Sequence, residues 1–298
     1  MTALARRLWD HDLAHAFRHD PLAILSAIVV AAFLIAALLA PVIVAKDPFD
    51  LRNLDLIESL LPPGPGRPLG TDDQGRDLLA AIVYGTRLSL VVAVLSVVVS
   101  LGLGVTLGLI AGFAGGFLDA FIMRAADIQL SFPAILVALL VDGIARAALP
   151  GDMHARFAVP VLIAAIALSG WVQYARTVRG LTLAERSKDY VQSARVSGVA
   201  PARIARAHIL PNVTGPLFVL ATVQIATAIL TEATLSFLGV GMPPTSPSLG
   251  TLVNIGNNYL FSGAWWISVF PGLALVMLVL AVNLLGDWLR DALNPRLG

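Results

Sequence analysis

The chain has 298 residues, 57% hydrophobic and only 13% charged, against about 25% charged in an ordinary soluble domain. A water-soluble globule is therefore excluded, and a polytopic membrane protein is the class that remains. The net charge of +1 leaves no basic surplus for nucleic acid, and the lack of cysteine removes disulfides, thiolate nucleophiles and cysteine-held metals.

In chain order, residues 1–20 form a polar N-terminal tail carrying Arg6, Arg7 and Arg18. The mixed face of Leu4, Leu8, Trp9 and Leu13 suits a helix lying on the inner membrane surface. Residues 21–45 follow without a charge and without an Ala-x-Ala cleavage site, so they predict a retained first span rather than an export signal. Residues 46–87 read as an extracytoplasmic linker with an interfacial helix. Within it, LGTDDQGRD at Leu69 to Asp77 misses the spacing of a calcium loop. Thr71 with Gln74 three residues on reads instead as a capping box, opening an amphipathic helix through Tyr84 that stops at Gly85.

Residues 88–118 carry no charge, enough for a second span and more. Ser96, Ser100, Gly104, Gly108 and Gly112 recur every fourth residue, a groove of small side chains for close packing against another helix of this chain or of another subunit. The third span must take in Arg124 and Asp127, because the charge-free stretch 128–141 is too short to cross alone. These two residues are three apart and so can pair, and Pro133 is expected to kink the helix. The fourth span is predicted at 157–175, the fifth at 213 to about 237 and the sixth at 265–286. Trp265, Trp266 and Trp288 read as interfacial anchors, and 239–258 as a loop rich in Gly, Pro, Asn and Ser.

The fold class is thus an all-α polytopic membrane protein with six transmembrane helices. A five-helix core covers 88–290, and a short tail covers 291–298. With both termini on one face, that side carries thirteen Lys and Arg residues and the other seven, which puts both termini in the cytoplasm.

The polar segment 179–212 lies on the same side. Ser187 and Asp189 suit a helix start, Gly198 a C-terminal stop and Pro201 the first turn of a second short helix. That helix presents Ile204 and His208 on one side and Arg203 and Arg206 on another. It should end at Leu210, because Pro211 disfavours helical geometry in the residue before it.

No catalytic or metal site is predicted. None of the five histidines lies in a span, and His11, His15 and His19, spaced to line one helix face, read as solvated. The only lysines, Lys46 and Lys188, lack the glycines of a phosphate-binding loop, so the chain has no ATPase site of its own. In the fifth span Gln224, Thr227, Thr231 and Thr234 make a polar stripe, either part of a translocation path or a set of interhelical hydrogen bonds. Glu232 lies off that stripe and reads as a structural acceptor near the outer end.

Gln192-Ser193-Ala194, Gly198 and Leu210-Pro211 are spaced as in the EAA loop of ATP-binding-cassette importer permeases, which this segment resembles. Gln192 stands in place of Glu, Ser193 in place of Ala and His208 in place of Ile. LGTDDQGRD, RAADIQLSFP from Arg124, EATLSFLGVG from Glu232 and the stretch from Phe270 to Leu297 extend the likeness over nearly the whole chain. Together they resemble the C-type permease of dipeptide, oligopeptide and nickel importers.

The resemblance implies a type I importer permease fold in the bacterial inner membrane, forming half of a pathway for peptides or related small solutes. Implied partners are a B-type permease, two ATPase subunits, an extracytoplasmic solute-binding protein and the surrounding lipid. ATP and Mg would sit on the partner subunits, with no cofactor on this chain. Coupling to the ATPases would run through Tyr190, Gln192, Ser193, Ala194, Arg195, Gly198, Arg203, His208, Leu210 and Pro211. The alternative is an ion-coupled secondary transporter using Asp127 and Glu232 as intramembrane carboxylates.

Overall fold

A computed structural model describes residues 15–44, 47–243 and 245–292. The expected surface helix of the N-terminal tail falls mostly outside them, as do Lys46, Pro244 and the end of the C-terminal tail. Among the described residues five helices are long and apolar enough to cross a membrane, and a sixth is added if one sharply bent helix pair counts as a single span. The chain divides into two compact units, one of residues 1–91 with 232–298 and one of residues 92–231. Both boundaries fall inside helices.

In the first unit, Asp20 caps helix α1 (Pro21–Leu38), its carboxylate accepting the amides of Leu22 and Ala23. Residues 15–19 are helical ahead of it, and Phe17 meets Trp288 edge-on at 5.1 Å. The linker is knotted by charge. Arg76 and Asp72 pair at 2.5 Å while both are almost fully buried, and Arg67 bridges Glu58 and Asp77. Burial, then the neighbouring Asp72 charge, pushes the Asp73 carboxyl above its usual range.

Helix α2 (Leu78–Ala114) corrects the expected capping box. Its first turn is capped by Asp77, whose carboxylate accepts the Ala80 amide at 3.0 Å. The Thr71 hydroxyl instead accepts the Leu61 amide and donates to the Glu58 carbonyl, closing the loop. Nor does Gly85 stop the helix: α2 runs straight through it for 37 residues, about 55 Å at 1.5 Å per residue. Gly85 is needed for contact, because a Cβ there would meet Leu252 and the Leu249 backbone at 3.2–3.3 Å.

Those two residues belong to a further helix, α8 (Leu249–Asn257), within the stretch read from composition as a loop. Ser248 caps it, and its glycines seat it. A Cβ on Gly250 would lie 2.3 Å from the Ala233 carbonyl oxygen, and one on Gly256 would lie 2.4 Å from the Ser268 amide. The last helix, α9 (Trp266–Ala292), starts with a buried Trp266 whose indole donates to the Thr71 carbonyl at 3.1 Å. Trp266 is therefore a core residue, not an interfacial anchor; Trp265 beside it is the exposed one.

In the second unit, the remainder of α2 packs along α5 (Gly151–Glu185), which extends well past both ends of the predicted fourth span. The groove of small residues takes α5 of the same chain, not a helix of another subunit. The Ser100 hydroxyl donates to the Ala167 carbonyl. A Cβ on Gly104, Gly108 or Gly112 would come within 2.4–2.7 Å of Tyr174, Ala175 or Thr182. This is the backbone approach that small residues permit where lipid supplies no hydrophobic drive.

The third predicted span is broken rather than kinked. Helix α3 (Gly116–Leu130) and helix α4 (Ala134–Ala148) meet at 94° across Ser131–Pro133. The break is held by polar contacts to α5: Gln129 donates to the Leu168 carbonyl and accepts the Trp171 indole, and Ser169 donates to the Ala134 carbonyl. Asp127 pairs with Arg176 of α5 at 2.5 Å, across helices, in place of the expected pair with Arg124 three residues back.

Candidate functional site

The polar segment after α5 folds into an elbow. Helix α6 (Asp189–Val196) begins with Asp189 in its first turn, where a carboxylate favours the positive end of the helix dipole. It ends in a Schellman motif. Gly198 sits at φ +74, its amide bonds the Arg195 carbonyl, and the Val199 amide bonds the Ala194 carbonyl. Pro201 then opens helix α7 (Pro201–Phe237).

The second half of the elbow is not a separate helix. The backbone widens to π geometry over Ala205–Ile209 and passes helically through Leu210 and Pro211 into the fifth span. Pro211 lacks an amide hydrogen and its ring crowds the preceding turn, and a widened turn accommodates both without a stop.

Burial divides the elbow into two faces. Val191, Ile204, Ile209 and Val213 are fully buried or nearly so. Gln192, Ser193, Arg195, Val196, Gly198, Arg203 and Pro211 are exposed, and Ala194, His208 and Leu210 are half-buried. His208 thus does not share the depth of Ile204. The apolar side chain presented to the outside is Val196, 90% exposed, which the sequence reading passed over. Its signal was available: five residues from Val191 is about 140° around a helix, so the two cannot share a buried face.

The elbow and the end of α5 that leads into it are braced against α2 and α3. Arg195 lies over the Phe113 ring at 5.2 Å, Arg186 donates to the Gly112 carbonyl, and Arg179 grips Asp119 with two hydrogen bonds. The Gln192 amide donates to the Arg186 carbonyl at 3.0 Å, a contact that a glutamate could not make.

At the inner corner the Tyr190 hydroxyl donates to Glu185 at 2.6 Å and accepts from the Asn212 amide at 3.1 Å. That same amide group also donates to the His208 carbonyl, and Lys188 pairs with Glu185 at 2.6 Å. Partial burial, then the bond to Glu185, raises the Tyr190 phenol above its usual range.

On α7, Gln224 and Thr231 are half-buried and Thr227 and Thr234 exposed. Thr231 donates to the Thr227 carbonyl and Thr227 to the Val223 carbonyl, so these two hydroxyls bond back to their own helix rather than to a neighbouring one. Glu232 is fully buried in the first unit, accepting the hydroxyls of Ser89 and Ser236 at 2.7 Å each. Ser89 in turn accepts the Leu249 amide of α8. Among the described residues no group of three or more acidic, histidine or cysteine side chains is placed to hold a metal ion.

Comparison with known proteins places the chain. Residues 7–63 match the family described as the N-terminal TM domain of oligopeptide transport permease C. A dipeptide transport system permease protein of Haemophilus influenzae is 38% identical over 94% of this chain and 92% of its own length. A putative peptide transport system permease protein of Brucella suis is 40% identical over 88% of this chain and 84% of its own. A dipeptide transport system permease protein of Escherichia coli K12 is 46% identical over 77% of this chain and 73% of its own. Residues 104–298, with the elbow, the broken helix pair and the last span, match a second family model, and the chain belongs to that family, the inner-membrane components of binding-protein-dependent transport systems.

Proposed function

We propose that this chain is one permease of an ATP-driven importer for dipeptides or related small peptides, and that the elbow is where separate ATPase subunits attach. The observation that carries the reading is the tip of α6: an almost fully exposed Val196 beside Ser193 and Arg195, on a helix fixed by the Gly198 turn and braced to α2 and α5. An apolar side chain held out by a rigid polar frame suits a helix-in-groove contact. The peptide assignment is supported by the names of the relatives, all transport permeases for peptides.

Such a system needs a second, B-type permease, two ATPases carrying ATP and Mg, and an extracytoplasmic solute-binding protein. The excess of Lys and Arg on the elbow side supports cytoplasmic termini. The stripe of Gln224, Thr227, Thr231 and Thr234 serves as part of the path, a role supported by the Thr227 and Thr231 hydroxyls, which bond back to carbonyls of their own helix. Ion coupling through Asp127 and Glu232 is not favoured, since Asp127 is matched by Arg176 and Glu232 by two serines.

The test is Val196→Asp, which puts a charge into the proposed groove contact. Membrane insertion and pairing with the second permease should persist, while ATPase subunits cease to co-purify and peptide uptake falls at least tenfold, the equivalent of about 1.4 kcal/mol. Normal uptake with a normally bound ATPase overturns the reading.

A further inference from the structure

Three elements meet at one hydroxyl. Tyr190 stands on the first turn of α6, Glu185 on the last turn of α5, and Asn212 on α7 just beyond the widened turn and Pro211. The Tyr190 oxygen gives its proton to Glu185 and receives one from Asn212, so both of its hydrogen-bonding directions are used across different helices. The two flanking groups are themselves fixed, Glu185 by Lys188 and Asn212 by the His208 carbonyl inside the widened turn. The segment between Glu185 and Tyr190 is only a short turn, and that between Tyr190 and Asn212 is the whole elbow.

We infer that Tyr190 is a positioning residue that locks the base of the elbow to the ends of two spans, so that displacement of α6 is passed to α5 and α7 together instead of being absorbed by the turns between them. The inference rests on the coupling role proposed above for the elbow. Its chemistry is specific to the hydroxyl. The ring alone fills space, whereas only the oxygen ties a carboxylate on one span to an amide on the other. The wide turn at Ala205–Ile209 makes the tie necessary, because a π turn is a weak point in a helical rod and without a cross-brace the elbow would flex there.

The importer is reconstituted in liposomes with both permeases, both ATPases and the binding protein, and ATP hydrolysed per peptide imported is measured for wild type, Tyr190→Phe, Asn212→Ala and the double variant. With Tyr190→Phe the ATPases still co-purify, uptake falls, and the ATP spent per peptide rises about fivefold or more, the lower end of ordinary coupling effects. Asn212→Ala raises the ratio as well, and the double variant falls short of the product of the two single effects, because both substitutions remove the same Tyr190–Asn212 bond. An unchanged ratio in Tyr190→Phe overturns the inference while leaving the docking role intact. Loss of the ATPases from Tyr190→Phe also overturns it, by making the residue part of the attachment surface. Effects that multiply in the double variant do the same by separating the two residues. Wild-type complex without an attached ATPase brings down the underlying coupling role instead.

Discussion

Gly198 shows how one backbone angle shapes the elbow. Its φ of +74 is costly for a side chain with a Cβ, yet no atom lies within 4 Å of where that Cβ would stand. The cost of substitution is therefore conformational and free of any clash, and residues should rank by their tolerance of left-handed geometry. Gly198→Val is expected to cost about 1–2 kcal/mol of local stability and to detach the ATPase, while Gly198→Asn retains most of the uptake. Equal uptake by the two variants would show that the turn is not what orients α6. The stop was readable from the sequence, because glycine after a short amphipathic run is the ordinary signature. What Gln192 does was not. The departure from Glu at this position is visible in the sequence, but its consequence appears only where the amide meets the Arg186 carbonyl, six residues back in the chain.

At the scale of elements, the apolar runs of the sequence coincide with helices long enough to cross a membrane, and several of the differences come from contacts distant in sequence. Helix α8 was hidden because Gly, Pro, Asn and Ser dominate its neighbourhood. It exists because Gly250 and Gly256 let its backbone rest on Ala233 and Ile267. Pro133 announced a disturbance in the third span, but the 94° break depends on Gln129 and Ser169 bonding across to and from α5 and α4. The glycine groove was legible as a packing surface, whereas its partner was not, since two helices of one chain and two chains give the same pattern. Gly108→Leu tests the seam. Its first side-chain atom would already stand 2.6 Å from the Ala175 carbonyl oxygen, so α2 and α5 must separate. Thermal unfolding in detergent should show a loss of at least about 1–3 kcal/mol, the usual cost of overpacking. Gly102→Leu on the same helix, where nothing lies within 4 Å, should unfold like wild type.

For the whole molecule, the decisive unknown from sequence is which side faces the cytoplasm, and the charge count gives a definite expectation. Ser187 at the elbow and Ser246 ahead of α8 are both exposed, whereas Ser248 two residues on is buried under its own helix cap. Single cysteines at Ser187 and Ser246, in a chain with no native cysteine, should react with an impermeant thiol reagent from opposite faces of sealed vesicles. Labelling of both from one face would contradict six crossings.

The seam between α2 and α5 sets a limit on how the molecule can move. Three successive glycines take the α5 backbone and side chains like notches about 6 Å apart, four residues of rise each. Lengthwise slip by one residue would lift every tooth out of its notch at once, so the pair travels as a single beam. Whatever angle changes in this part of the chain is left to the break at Ser131–Pro133, because the other interruption of regular hydrogen bonding, the wide turn at Ala205–Ile209, is spanned by the bonds of Asn212 to Tyr190 and to the His208 carbonyl.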